Sequence, residues 1–400
     1  MQDDQVLERA DGEIFGALAL QPADALLALI GAFRSDPRAG KIDVGVGVYR
    51  DLAGHTPVLR AVKEAERRLL EQQQSKAYLG PEGDIGYFEA LKPIIFGDRA
   101  FDARLSGLQT PGGTGALRVA AELLARGRPG ARIWVGNPTW PNHLPILKAA
   151  GLKIAAYDHY DVTSQRLTID QTLDALKGAA PGDVALLHGC CHNPTGADFT
   201  VDQWRAIATL LRDRGVLPLI DLAYQGLGEG LDEDAAGARQ TLEIVGEGLV
   251  AYSCDKNFGL YRERVGALYT VAKSPEQARI IQSNLLALTR ANWSMPPDHG
   301  AAIVRVILED PDLSADWRAE LAEMRERIQQ IRHLLANADP ALAPLATQQG
   351  MFSTLPLSAE EVARLRDQHG IYMPASGRIN IAGLTPETVP PFVAALAALR

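Results

Sequence analysis

Short apolar runs alternate with longer amphipathic stretches through the middle of the chain. Residues 133–135, 154–157, 184–188, 217–221, 249–253 and 267–271 read as buried strands: each is brief and mainly apolar. Residues 116–125, 203–213 and 275–288 read as helices. This alternation predicts an α/β fold, a mainly parallel sheet flanked by helices on both faces. Further on, Trp317, Leu321, Met324, Ile328, Ile331 and Leu335 recur at spacings of three and four, which marks one long amphipathic helix. The helix is expected to lead out of a large domain, 57–315, into a smaller α+β domain, 316–400, with strands around 350–354 and 378–381. An N-terminal segment, 1–56, is expected to pack with the small domain through residues 42–48.

The chain has 400 residues, more than one hydrophobic core usually serves, and 46% are hydrophobic against 22% charged. A net charge of -9 disfavours nucleic acid, which needs clustered Lys and Arg. It leaves room for a local basic pocket. The cysteines, Cys190, Cys191 and Cys254, form neither a disulfide framework nor a zinc pattern. The N-terminal stretch MQDDQVLERADGEIF is acidic where a secretory signal is basic and then apolar. Apolar runs such as 25–30 are too short to span a bilayer. A cytoplasmic location is the expectation.

Ligands of open α/β sheets bind beyond the carboxyl ends of the strands, and four polar clusters fall at such ends. The first, TPGGTGAL from Thr110, runs into a helix. Gly112, Gly113 and Gly115 permit a tight turn, and the helix start offers free N–H groups to an anion such as phosphate. The plainer alternative is a glycine-rich loop that begins a helix. The second, HGCCHNPTG from His188, contains Asn193 before a proline. That keeps the backbone extended and permits a cis bond, so the amide can point rigidly into a site. Cys191 and His192 are too close in sequence to chelate well, and no metal is expected.

The third cluster, LPLIDLAYQG from Leu217, ends its apolar run at Asp221. A carboxylate buried there needs a cationic or hydrogen-bonding partner. A protonated pyridine nitrogen would serve, and a turn-capping Asp is the alternative. The fourth, AYSCDKNFGLYRERVG from Ala251, puts Lys256 just after a buried strand. An amine in such a place can lose its proton and attack an aldehyde. Arg264, eight residues on, could reach a phosphate. A lone lysine is commonly a solvated one, but its company of three further clusters favours chemistry.

These segments, with GVGVYRD, AYLGPEGD, NPTWPNH and SGRINIAG, resemble those of the class I aspartate and aromatic amino acid aminotransferases, from about Pro22 to the C-terminal region. The resemblance implies the aspartate-aminotransferase-like fold and pyridoxal 5'-phosphate as cofactor. It also implies amino acids and 2-oxo acids as small-molecule partners, and a homodimer with shared active sites. Lys256 would hold the cofactor as a Schiff base and shuttle the substrate proton. Asp221 would pair with the pyridine nitrogen, Tyr224 and Asn193 would hydrogen-bond the phenolate oxygen, and Trp140 would stack on the ring. Gly113, Thr114, Ser253 and Arg264 would hold the phosphate, helped by Tyr78 of the partner subunit. Arg378 would grip the substrate α-carboxylate near Gly47, with Trp140 and Asn193 bordering the same space. Arg290 of the partner subunit would receive a side-chain carboxylate.

Arg290 and Arg378 together suit a dicarboxylic acid. Ala77, Trp293 and Met295 depart from the polar residues typical of strict aspartate enzymes. They tilt the expectation toward an enzyme that takes Phe, Tyr and Trp as well as Asp and Glu, with 2-oxoglutarate as acceptor. A strict aspartate aminotransferase is the alternative. Asp255 stands where a polar uncharged residue is commoner, and its carboxylate is expected to point outward. An NAD-dependent dehydrogenase is disfavoured because no complete G-x-G-x-x-G follows a strand. A serine hydrolase lacks its G-x-S-x-G, and a non-catalytic scaffold has no need of Lys256, Asp221 and Arg378 together.

Overall fold

The computed structural model describes residues 15, 18–21, 25–98 and 101–400. The acidic stretch 1–14 and Pro22, where the resemblance begins, lie outside the described residues. In chain order the strands are β1 (Ile42–Asp43), β2 (Leu105–Pro111), β3 (Arg132–Asn137), β4 (Lys153–Asp158), β5 (Tyr160–Asp161), β6 (Arg166–Leu167) and β7 (Val184–His188). There follow β8 (Leu217–Leu222), β9 (Gly248–Ser253), β10 (Val265–Val271), β11 (Phe352–Thr354), β12 (Ile371–Tyr372) and β13 (Arg378–Asn380).

One large sheet has the order β2-β10-β9-β8-β7-β3-β4. Its strands from β9 to β4 run parallel, as the alternating pattern predicts, and β10 runs antiparallel to both β2 and β9. The reversal follows from chain length. Residues 254–264 join β9 to β10, and a parallel crossover needs about a dozen residues or more, usually with a helix. Pro218 sits inside the central strand β8, yet its missing N–H costs little, because pairing with β9 begins only at Leu219.

The expected helices lie within Gly112–Gly127, Val201–Arg214 and Pro275–Asn292. The first and third cover one face of the sheet through Leu117, Ala120, Leu124, Leu285 and Leu288; the second covers the other through Trp204, Ile207 and Leu211. Pro311–Ala338 is the long helix, capped by Asp310, which accepts from the N–H groups of Asp312 and Leu313. Trp317, Leu321, Met324, Ile328, Ile331 and Leu335 form its buried stripe. Beyond it, β11 pairs antiparallel with β13, and β1 pairs parallel with β12. The chain near residue 42 thus joins the C-terminal strands. Among the described residues no helix is long and apolar enough to cross a membrane.

Candidate active site

Polar side chains gather where the parallel strands end. His188, the last residue of β7, lies in register with Asp221 on β8, and β9 ends at Ser253. At the same edge β2 passes directly into the helix Gly112–Gly127. With Trp140, Asn193, Tyr224, Lys256 and Arg264, and with Gly47, Phe352 and Arg378 opposite, these residues line a cleft of about 320 Å³. Its first-turn glycines are needed: Gly112 has φ +67°, and a Cβ on Gly113 would stand 3.1 Å from the Ser253 Cβ.

Lys256 sits on the short 254–264 connection, which the long helix anchors. The Trp317 indole N–H donates to the Asn257 carbonyl at 2.8 Å, and its ring stacks on Phe258 at 4.3 Å. Asn257 Nδ2 donates to the Tyr252 hydroxyl at 3.0 Å. The Lys256 ammonium lies 5.4 Å from the centre of the Tyr224 ring. Burial holds this amine below the usual lysine range; the carboxylates of Asp255 and Asp221 oppose the shift, and Arg264 adds to it. A larger fraction of it is therefore neutral and nucleophilic than in a solvated lysine.

Asp221 is buried, and its Oδ2 accepts from His143 Nε2 at 3.0 Å. An ionised carboxylate only accepts, so the His143 proton resides on Nε2. Nδ1 can then accept from the Thr139 hydroxyl at 2.7 Å, and that oxygen meets His188 Nε2 at 3.1 Å. Burial by itself would raise the Asp221 carboxyl. The His143 hydrogen bond, reinforced by the electrostatic influence of His143, His188 and Lys256, reverses the sign, and the net shift is downward. Burial also drives His188 down to about 3, so that ring stays neutral.

Asn193 Nδ2 donates to the Tyr224 hydroxyl at 3.3 Å, and burial raises that phenol. The Asn193–Pro194 bond is cis. Arg378 Nη2 donates to the Gly45 carbonyl at 2.7 Å, and its guanidinium faces the Phe352 ring at 4.7 Å. Asn380 Nδ2 donates to the carbonyls of Val46 and Val48, which fixes the 45–48 segment beside Arg378. Burial holds the Arg378 guanidinium below its usual range.

Of the residues given a catalytic, cofactor or substrate role from the sequence, the cleft collects all except Tyr78 and Arg290. Tyr78 is 93% exposed and lines a separate cleft with Ala77 and Met295. Arg290 is exposed in the last turn of Pro275–Asn292 and donates to Ser294. Trp293 and Trp140 are each partly buried against the hydrophobic cluster that contains Leu117 and Leu288. The expected outward orientation of Asp255 is wrong. Its carboxylate is 1% exposed, pairs with Arg264, accepts from the Val265 N–H at 3.1 Å and lies 3.9 Å from the Lys256 nitrogen. An unpaired carboxylate could not be buried so deeply, and Arg264 supplies the counter-charge. His143 was missed, although it stands in the quoted NPTWPNH. Its signal was the partner that a buried Asp221 requires, but 78 residues of chain separate the two. Cys190, Cys191 and Asp234 also come together, yet Asp234 is engaged by the N–H groups of Gly226, Gly228 and Glu229.

The fold and the cleft together define a pyridoxal-phosphate enzyme of the aminotransferase kind. The cofactor fits the residues present. There is a buried amine for its aldehyde, a buried carboxylate held by the His143 imidazole, and a glycine-walled helix start beside Arg264. The Asn193 Oδ1 is buried without a hydrogen-bond partner, an acceptor left over at the same place. The chain belongs to the family Aminotransferase class I and II, whose model matches residues 39–396. It is 57% identical over 375 residues to the tyrosine aminotransferase of Rhizobium meliloti (strain 1021), covering 93% of this chain and 96% of that one. It is 45% identical over 395 residues to the aspartate aminotransferase of Escherichia coli (strain K12), covering 96% and 100%. Among solved structures it is similar to the aromatic-amino-acid aminotransferase from Burkholderia pseudomallei covalently bound to pyridoxal phosphate. That similarity has a TM-score of 0.94 and 37% identity, and covers 97% of this chain and 99% of that one. The chain is thus a pyridoxal-phosphate-dependent aminotransferase.

Proposed function

We propose that the enzyme moves the amino group of aromatic and dicarboxylic L-amino acids to a 2-oxo acid such as 2-oxoglutarate, by ping-pong kinetics. The carrying observation is the convergence of Lys256, Asp221 and Arg378 on one cleft. Pyridoxal 5'-phosphate, when bound, supplies an aldehyde for amine exchange and a ring that stores the electrons released at the substrate α-carbon. Lys256 would hold the cofactor, and its freed amine would take the α-proton and later return it. Asp221, oriented by His143, would keep a proton on the pyridine nitrogen. Asn193 and Tyr224 would donate to the phenolate oxygen, and Trp140 would cover the ring face. Gly113, Thr114, Ser253 and Arg264 would receive the phosphate.

Arg378 would take the α-carboxylate with its planar fork, closing the space beside Gly47. The exposed positions of Tyr78 and Arg290 support a homodimer, in which Tyr78 of the partner subunit would reach the phosphate and Arg290 of the partner subunit a side-chain carboxylate. We assign 57–315 to a large domain and 316–400, with the described part of the N-terminal segment 1–56, to a small one. The cytoplasm is the proposed location.

Broad specificity is favoured by the apolar Ala77, Trp293 and Met295, and by relatives named for both tyrosine and aspartate. Steady-state kcat/KM for Phe and for Asp, with 2-oxoglutarate as acceptor, tests it. The two values should fall within about a hundredfold of each other. A Phe rate at background, with Asp turned over normally, makes the enzyme a strict aspartate aminotransferase.

A further inference from the structure

Asp255 puts a negative charge where an anion is to be received. Its carboxylate pairs with Arg264 and lies at the start of the helix Gly112–Gly127, where a Cβ on Gly112 would stand 3.2 Å from Asp255 Oδ2. The Asp255 N–H faces the Ser253 hydroxyl at 3.3 Å, and the Val265 N–H donates to Oδ1 at 3.1 Å. The carboxylate is therefore held in place by main chain and cannot swing out to solvent. The Arg264 side chain is 42% exposed, so it is the movable half of the pair. The Arg264 backbone has φ +54°, a conformation costly for a residue with a side chain, just before β10 begins.

We propose that Asp255 is a built-in competitor for the cofactor phosphate. It occupies Arg264 when the phosphate is away and repels the phosphate when it is present, so that the site releases its cofactor more readily than its other residues imply. This deepens the functional reading above and rests on it. The argument is one of charge. With Arg264 paired, none of the described residues that would receive the phosphate, Gly113, Thr114, Ser253 and Arg264, offers it a net positive charge, and the neighbouring Lys256 lies 3.9 Å from the same carboxylate. Two like charges in a half-buried site separated by a few ångströms oppose one another by more than thermal energy, even at an effective dielectric of roughly 20. The helix start and the Ser253 hydroxyl must then supply most of the hold.

The test compares the full-length wild type with Asp255→Asn, which keeps the shape and the acceptor for Val265, and with Asp255→Ser, which removes both. Calorimetric titration of each protein, freed of cofactor, with inorganic phosphate should show about tenfold or greater tightening in both variants. Release of pyridoxal 5'-phosphate from the holoenzymes should slow in the same order. Equal or weaker phosphate binding in the variants overturns the proposal and makes Asp255 a residue that merely organises Arg264. Borohydride reduction followed by peptide mass analysis separates the two levels. Cofactor fixed on Lys256 upholds the functional reading whatever the phosphate ratio, and cofactor fixed on another lysine overturns that reading and the proposal with it.

Discussion

Two buried carboxylates, Asp221 and Asp255, line one cleft with Lys256 and both act on its amine, and their partners make them different reagents. Asp221 is held by the imidazole of His143, a single N–H donor to its Oδ2. Asp255 is held by a guanidinium and a main-chain N–H, so its charge is already balanced within the protein. Burial acts on both, since each is almost wholly removed from water. The partner, more than the depth, decides what each can do. A carboxylate held by one imidazole N–H can govern the protonation of a bound ring; one paired with a guanidinium governs how freely that cation meets a second anion.

The comparison can be broken at its centre. Lys256→Ala removes the amine on which both carboxylates act, and kcat should fall by more than about 10⁴-fold with the fold intact by circular dichroism. Substantial residual turnover defeats the assignment of the cleft. Asp221→Asn keeps the size of the side chain and removes its charge, and should lower kcat by about 10²–10⁴-fold at saturating cofactor. Asp255→Asn, assayed in the same way, should lose far less in kcat and show its effect in cofactor and phosphate binding. If the two Asn variants lose kcat equally, the division of labour between the carboxylates is wrong.

Much of this contrast was hidden in the sequence for physical reasons. The strands 184–188 and 217–221 were legible because they are apolar and buried on both faces. The long helix was legible because its stripe keeps one spacing over more than five turns. β2 was not, since it buries Ser106, Gln109 and Thr110 and so reads as polar. Ser106 and Gln109 are satisfied by distant groups, the Thr270 hydroxyl and the Pro297 carbonyl, and Thr110 donates to the nearby Gly112 carbonyl. Lys256 and Asp221 could be chosen because they follow apolar runs. Asp255 was placed in solvent because a local reading does not see Arg264 fold back nine residues to meet it. His143 escaped because a histidine beside an asparagine and a proline carries no pattern of its own. Its role exists only once β8 and the helix His143–Ala149 are neighbours in space.

His143 provides the finest test of the comparison, with the smallest expected effect and the clearest sign. His143→Leu fills the space but leaves Asp221 without its donor. The hydrogen bond that overcomes burial and lowers the Asp221 carboxyl is lost, so burial prevails and the carboxyl rises. A raised carboxyl takes up its proton at higher pH. The acid limb of the kcat profile should therefore move to higher pH, while kcat on the plateau falls by only about tenfold. A variant that loses plateau activity with an unmoved acid limb assigns His143 a purely steric part. It would also imply that Asp221 keeps its charge without the His143 donor, and the distinction drawn between the two carboxylates would then rest on Arg264 alone.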